Sequence, residues 1–213
     1  MTAMNAVLAP MPKRHLPPLR IVLSHCWTGH SKIGWYPELQ REARAAGFEV
    51  VAPDLPDPDT PSPAAWREAL AAAVGRPDPH TVLVGHSLGT VNVLNYLAAL
   101  PRGQQVGGAV LVAPFDGPIG IAAVDAFVGS GPDLAAARAA CRRFHLVCSD
   151  DDPYLGPDPL AFALRMGHRL DASVHVVHGG RHFSPSAGPS AAPHLIRWLR
   201  DWRAAASLEE ALQ

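Results

Sequence analysis

Three short stretches of this chain carry side chains that could act together on a carbonyl carbon. Gly85-His86-Ser87-Leu88-Gly89 sets a serine hydroxyl between glycines, Asp150-Asp151-Asp152 offers carboxylates, and His178 and His182 offer imidazoles. A serine hydroxyl is a poor nucleophile until a neighbouring base takes its proton, and that base needs an acceptor to hold its tautomer. The pentapeptide alone is a weak signal. Its context is strong: the apolar run Thr81-Val82-Leu83-Val84 precedes it and a helix-forming stretch from Val91 to Leu100 follows. A strand that enters Gly-x-Ser-x-Gly and leaves as a helix is a nucleophile elbow. The tight turn lifts the hydroxyl above the sheet, and glycines on either side have no Cβ to obstruct helix and strand. The N–H of Leu88 then points to where an oxyanion would form.

Elements must exist to position these groups, and the pattern supplies them. Candidate strands are Arg20–Ser24, Glu49–Ala52, Thr81–Gly85, Gly108–Ala113, Phe144–Cys148 and Val174–Val177. Most are unbroken Val, Ile and Leu runs, as expected for strands covered on both faces. Candidate helices between them are Tyr36–Ala46, Pro63–Val74, Ser87–Leu100, Leu134–Ala140 and Pro159–Leu170. A last helix, Ala192–Ala204, places Leu195, Trp198, Leu199 and Trp202 on one face. Strands alternating with helices predict a doubly wound, mostly parallel six-stranded α/β sheet. Catalytic groups of such sheets collect at the carboxyl ends of the strands.

That rule sorts the candidates. The three aspartates follow the fifth strand, and Asp152 is favoured because Pro153 fixes the backbone after it. Both histidines follow the sixth. His178 reads as a strand-end residue, whereas His182 lies past Gly179 and Gly180, on a loop able to reach Ser87. The order Ser, Asp, His is that of hydrolases on this architecture. A second oxyanion N–H should come from the loop after the first strand, from Trp27, with Cys26 and Thr28 as alternatives.

Composition narrows the partners. The 213 residues suit one domain, with 48% apolar residues and a formal net charge of −1. Dispersed basic residues argue against nucleic acid, and no apolar stretch is long enough to span a membrane. Residues 1–19 read as a proline-rich leader, 20–204 as the domain and 205–213 as a tail. Lys13 and Arg14 follow the apolar Ala6–Ala9 run, the wrong order for a signal peptide, so the cytoplasm is the expected compartment. Three cysteines suggest no disulfide framework. His178 and His182 are four residues apart on a glycine loop rather than a helix face, so no metal site is expected. No cofactor is needed for the chemistry, and no protein partner can be read.

With those residues in place, a resemblance can be stated. His25 with Trp35-Tyr36-Pro37, Ala52-Pro53-Asp54-Leu55-Pro56, Gly85-His86-Ser87, Asp151-Asp152-Pro153-Tyr154 and His182-Phe183 occur in that order. Together they resemble the small serine hydrolases typified by retinoblastoma-binding protein nine and their bacterial relatives, over roughly residues 20 to 204. The resemblance implies a cap-less α/β-hydrolase fold with Ser87, Asp152 and His182 as nucleophile, acid and base. Two positions depart from the family pattern, where glycine is usual: Cys26 in the oxyanion loop and Arg181 before the histidine. Cys26 is expected to pack and Arg181 to face solvent.

Between the fourth and fifth strands only Pro114 to Arg143 intervene, too few for a cap domain. The apolar piece Ile119–Phe127 could form one short helix over the site. His25, Trp35 and Phe183 are expected near substrate, although Trp35 and Tyr36 also suit a helix anchor. The expected activity is a carboxylesterase acting on small or short-chain esters. A ligand-binding scaffold without catalysis and an acyltransferase with the same triad are the alternatives.

Overall fold

The computed structural model describes residues 19–184 and 188–211. The strands are β1 (Arg20–Ser24), β2 (Glu49–Val51), β3 (Thr81–His86), β4 (Gly108–Val112), β5 (Phe144–Ser149) and β6 (Ala172–Val177). The helices are α1 (Tyr36–Ala45), α2 (Pro63–Val74), α3 (Leu88–Ala98), α4 (Ala122–Val128), α5 (Leu134–Ala139), α6 (Pro159–Leu170) and α7 (Ala192–Ala211). All six strands are parallel, in the order β2-β1-β3-β4-β5-β6. The doubly wound α/β sheet expected from the alternation is therefore the fold.

Side chains alternate across the sheet. Ile21, Leu23, Val82, Val84, Val110, Val112 and Val147 face α1 and α7. Val22, Leu83, Ala109, Leu111 and Leu146 face the opposite layer of α2, α3, α5 and α6. Both faces of the central strands are thus buried, which is why the sequence shows apolar runs rather than alternation. Helix starts follow local rules: Ser62 and Asp158 accept the N–H groups of Ala65 and Ala161, each before a proline at the first helical position.

The chain order reverses between β1 and β3, and the crevice above such a point is where ligands bind in open α/β sheets. Here that crevice receives the loop after β1 and the turn after β3. Between β4 and β5 there is no cap domain, only the short helices α4 and α5.

Several element ends differ from expectation by a residue or two, among them the start of β6, and α7 runs well past its expected end. β6 begins at Ala172, where Ala172 and Ser173 pair with Phe144 and His145. α7 continues from Ala204 to Ala211, into the stretch read as a tail. The leader, 1–19, lies outside the described residues except for Leu19. Among the described residues no helix is long and apolar enough to cross a membrane.

Candidate active site

Ser87 joins β3 to α3 with φ 54 and ψ −122, a left-handed conformation that a side chain adopts only when its surroundings impose it. Two things impose it here. The Ser87 N–H donates to Val112 O on β4 (2.9 Å), and α3 is packed hard against the neighbouring strand ends. A Cβ on Gly89 would stand 2.1 Å from Ser24 O, and one on Gly85 would stand 2.8 Å from Gly89 O. Glycine at both positions is a packing necessity.

The three expected residues meet. Ser87 Oγ–H donates to His182 Nε2 (2.8 Å), and His182 Nδ1–H donates to Asp152 Oδ2 (2.8 Å). A carboxylate only accepts, so the Asp152 contact fixes the His182 tautomer and leaves Nε2 free to take the serine proton. The other Asp152 oxygen accepts the Tyr154 N–H (3.0 Å). Asp152 is 2% exposed, His182 7% and Ser87 8%, so the line of three is nearly dry, with its serine end at a cavity.

The rival residues are engaged elsewhere. Asp150 accepts from Gly179 N–H and pairs with His178, whose side chain is 97% exposed. That pairing holds the Asp150 carboxyl low and the His178 imidazole high. Asp151 accepts from Ser149 Oγ–H and Arg181 N–H. Arg181, in the place where glycine is usual, takes φ 50, and its side chain is exposed.

In the loop after β1, the backbone amides that flank Trp27 are used. Cys26 N–H donates to Tyr36 Oη (3.0 Å), Thr28 N–H to Pro58 O (2.9 Å) and Gly29 N–H to Cys26 O (3.1 Å). Trp27 N–H and Leu88 N–H have no partner among the described residues. Cys26 is 7% exposed, and burial pushes its thiol up, as for a packed side chain.

Three residues expected near substrate are not at the cavity. His25, Trp35 and Phe183 are buried and absent from its lining. Each serves its loop instead. His25 Nδ1–H donates to Cys26 O and Nε2 accepts from Leu55 N–H, both at 2.8 Å. Burial lowers His25, consistent with a neutral ring. Trp35 Nε1–H donates to Phe183 O (3.1 Å), and the Phe183 ring is in the core. Adjacency in the chain placed them near the site, but their side chains are buried in the loops and core around it.

The cavity holds about 620 Å3. Its lining includes Ile33, Gly34, Ile119, Ile121 and Val124 together with Trp27, Thr28, Tyr154 and Ser184. The wall from Ile119 to Val124 belongs to the short apolar piece expected over the site. Asp125 holds it in shape, accepting Ile119 N–H (2.7 Å) and Gly120 N–H (3.2 Å). Tyr154 was not singled out by sequence reasoning. It packs edge-to-face on His182 with ring centroids 4.6 Å apart, and its only signal was its place after Asp152-Pro153. No Asp, Glu, Lys or Arg is among the lining residues described. Nor do the described residues group three or more His, Cys, Asp or Glu side chains as a metal site would.

The fold and the family of this chain are shared with known proteins. YdeN of Bacillus subtilis (strain 168) is 25% identical over 175 residues, 82% of this chain and 90% of YdeN. The crystal structure of the ydeN gene product superposes with a TM-score of 0.79 at 24% identity, over 87% of this chain and 98% of that one. Est1E from Butyrivibrio proteoclasticus, solved with ferulic acid bound, shares the fold at a TM-score of 0.67 and 13% identity, over 95% and 94% of the two chains. The monoacylglycerol lipase of Paleococcus ferrophilus does so at 0.64 and 18%, over 87% and 94%. The family profile described as serine hydrolase matches residues 21–201, nearly the whole described domain, and the chain belongs to that family.

Proposed function

We propose that the protein is a carboxylesterase that hydrolyses small or short-chain esters through an acyl-enzyme on Ser87. The observation that carries this reading is the unbroken hydrogen-bonded line Ser87–His182–Asp152, whose serine end opens on an uncharged, largely apolar cavity. An uncharged lining suits a neutral acyl or alcohol group, since an ion entering it would lose water without gaining a partner.

The chemistry follows from the atoms. As Ser87 Oγ attacks the ester carbonyl, its proton passes to His182 Nε2. Asp152 stabilises the imidazolium and keeps the ring aligned. Charge developing on the carbonyl oxygen is met by the N–H groups of Leu88 and Trp27; one such donor is worth roughly 3 kcal/mol of transition-state stabilisation. His182 then returns the proton to the departing alcohol. A water activated by the same ring releases the acid. Every step uses groups of the chain and water alone.

The test is fluorophosphonate labelling beside hydrolysis of p-nitrophenyl esters of increasing acyl length, with Ser87→Ala as control. Labelling and turnover that both vanish in the variant, with activity falling as the acyl chain lengthens, support the reading. A folded wild-type sample that neither labels nor hydrolyses would make the protein a ligand-binding scaffold. Faster product formation with an added alcohol acceptor, giving a new ester, would make it an acyltransferase.

A further inference from the structure

Beneath Ser87 runs a buried line of hydrogen bonds that the chemistry above does not use. Tyr36, the first residue of α1, is fully buried. Its hydroxyl accepts from Cys26 N–H (3.0 Å) and donates to His86 Nδ1 (2.6 Å). With Nδ1 accepting, the His86 proton sits on Nε2, which donates to the backbone carbonyl of His182 (3.0 Å). One hydroxyl and one imidazole therefore connect four places in the chain: the loop after β1, the start of α1, the elbow and the loop after β6.

We infer that Tyr36 and His86 are positioning residues, coupling the loop that presents the Trp27 N–H to the loop that presents the His182 ring. The inference rests on the roles proposed above for Ser87, His182 and Trp27. Both loops need such bracing. Thr28 has φ 54, and Arg181 and Phe183, on either side of His182, have φ 50 and 51. Left-handed backbone at non-glycine residues persists only where neighbours over-determine it. At the first loop, the Cys26 and Thr28 amides are tied on either side of Trp27, so its N–H is held in one direction. At the second, the carbonyls of His182 and Phe183 are both held, one by His86 and one by the Trp35 indole.

Packing alone would not require this chemistry. A phenylalanine at position 36 would fill nearly the same volume without burying a hydroxyl, which is costly unless it is bonded. The His86 ring also has reason to be neutral. Its centroid is 6.0 Å from that of His182, which becomes a cation during turnover in the proposed mechanism. Burial holds His86 at about 3, so it acts as a hydrogen-bonding bracket that adds no second charge.

Tyr36→Phe removes one oxygen and keeps the ring. The variant is read by kcat and KM on p-nitrophenyl butyrate, by fluorophosphonate labelling, and by inhibition with a trifluoromethyl ketone, whose serine adduct carries an oxyanion. The expected result is a kcat roughly 10- to 100-fold lower with KM changed less than about threefold. The ketone should weaken in parallel with kcat/KM. A lower melting temperature with unchanged kcat and ketone affinity would overturn the inference, because a merely structural hydroxyl would behave that way. Should Tyr36→Phe fail to fold, His86→Gln and His86→Leu carry the test. Glutamine can still donate to His182 O and should keep several-fold more kcat than leucine; equal, wild-type rates in both would overturn the coupling. A wild-type protein that labels and turns over while all the variants match it sinks the coupling alone. A wild type that does neither removes the underlying reading, and the coupling with it.

Discussion

Replacing Gly89 by alanine tests the packing that makes the elbow possible. The added Cβ would sit 2.1 Å from Ser24 O and 2.6 Å from His25 O, both backbone atoms at the end of β1. A carbon and a carbonyl oxygen rest about 3.4 Å apart, so α3 and the β1 end must separate by about 1.3 Å. Neither side yields easily, because Leu88 to Leu94 are all buried and Ser24 lies in the β1–β3 ladder. Overpacking of this kind costs about 1–3 kcal/mol. The same movement would carry the Leu88 N–H away from the position proposed for the oxyanion, and a 1 Å misplacement costs roughly 100-fold in rate. Gly85→Ala should be milder, its nearest clash being 2.8 Å. Gly117→Ala is the control, since its Cβ would meet nothing within 4 Å. The assay is the urea midpoint and kcat/KM of each variant. A Gly89→Ala protein with the wild-type midpoint and rate would refute the close approach of α3 to β1 on which the argument depends.

Four further outcomes can be measured. Asp152→Asn, which can no longer hold the His182 tautomer, should lower kcat by roughly three to four powers of ten, and His182→Ala should abolish turnover. His178→Ala should leave turnover near wild type, because that ring pairs with Asp150 at the surface; a large loss would mean the base is misassigned. Stability should fall in mild acid. His86 drops from 6.5 to about 3 and His145 from 6.5 to about 4 on burial, so below pH 6.5 the unfolded chain binds protons that the folded one does not. Their contribution is intact above pH 6.5 and shrinks as pH falls towards those folded values, by about 1.4 kcal/mol per pH unit for each histidine. A urea midpoint that is flat from pH 7 to pH 5 would contradict their buried, neutral state.

The sheet was legible because its central strands are buried on both faces and so read as apolar runs. β6 was harder. It is an edge strand in which Ser173 and His175 interrupt the apolar pattern, so its first two residues carried no signal and only pairing with β5 reveals them. The end of α7 was missed for a related reason: Ala204 to Ala211 has good helix formers but no apolar face to mark a period. At the site, spacing and residue type led to Ser87, Asp152 and His182 because each follows a strand at the same sheet edge. His25, Trp35 and Phe183 are buried and off the cavity lining, for a reason sequence cannot cure. The direction a loop side chain takes is set by the folded backbone, which residue spacing does not report.

The loop after β6 shows how much of a site lies in bonds that no spacing rule reports. Three successive aspartates look equivalent in the chain, yet each has a separate partner on the loop that carries His182. Asp150 takes the Gly179 N–H, Asp151 the Arg181 N–H and Asp152 the His182 ring. From the other side, His86 and Trp35 take the carbonyls of His182 and Phe183. The imidazole is thus aimed by five contacts, of which four act on backbone and one on the ring. Backbone contacts of this kind can tolerate an arginine where glycine is usual, because they supply the energy that a left-handed residue needs. Arg181 is therefore compatible with the same loop geometry that a glycine would reach unaided. Asp151, one residue before Asp152, holds the Arg181 N–H in the same loop whose His182 ring lies 2.8 Å from Ser87 Oγ.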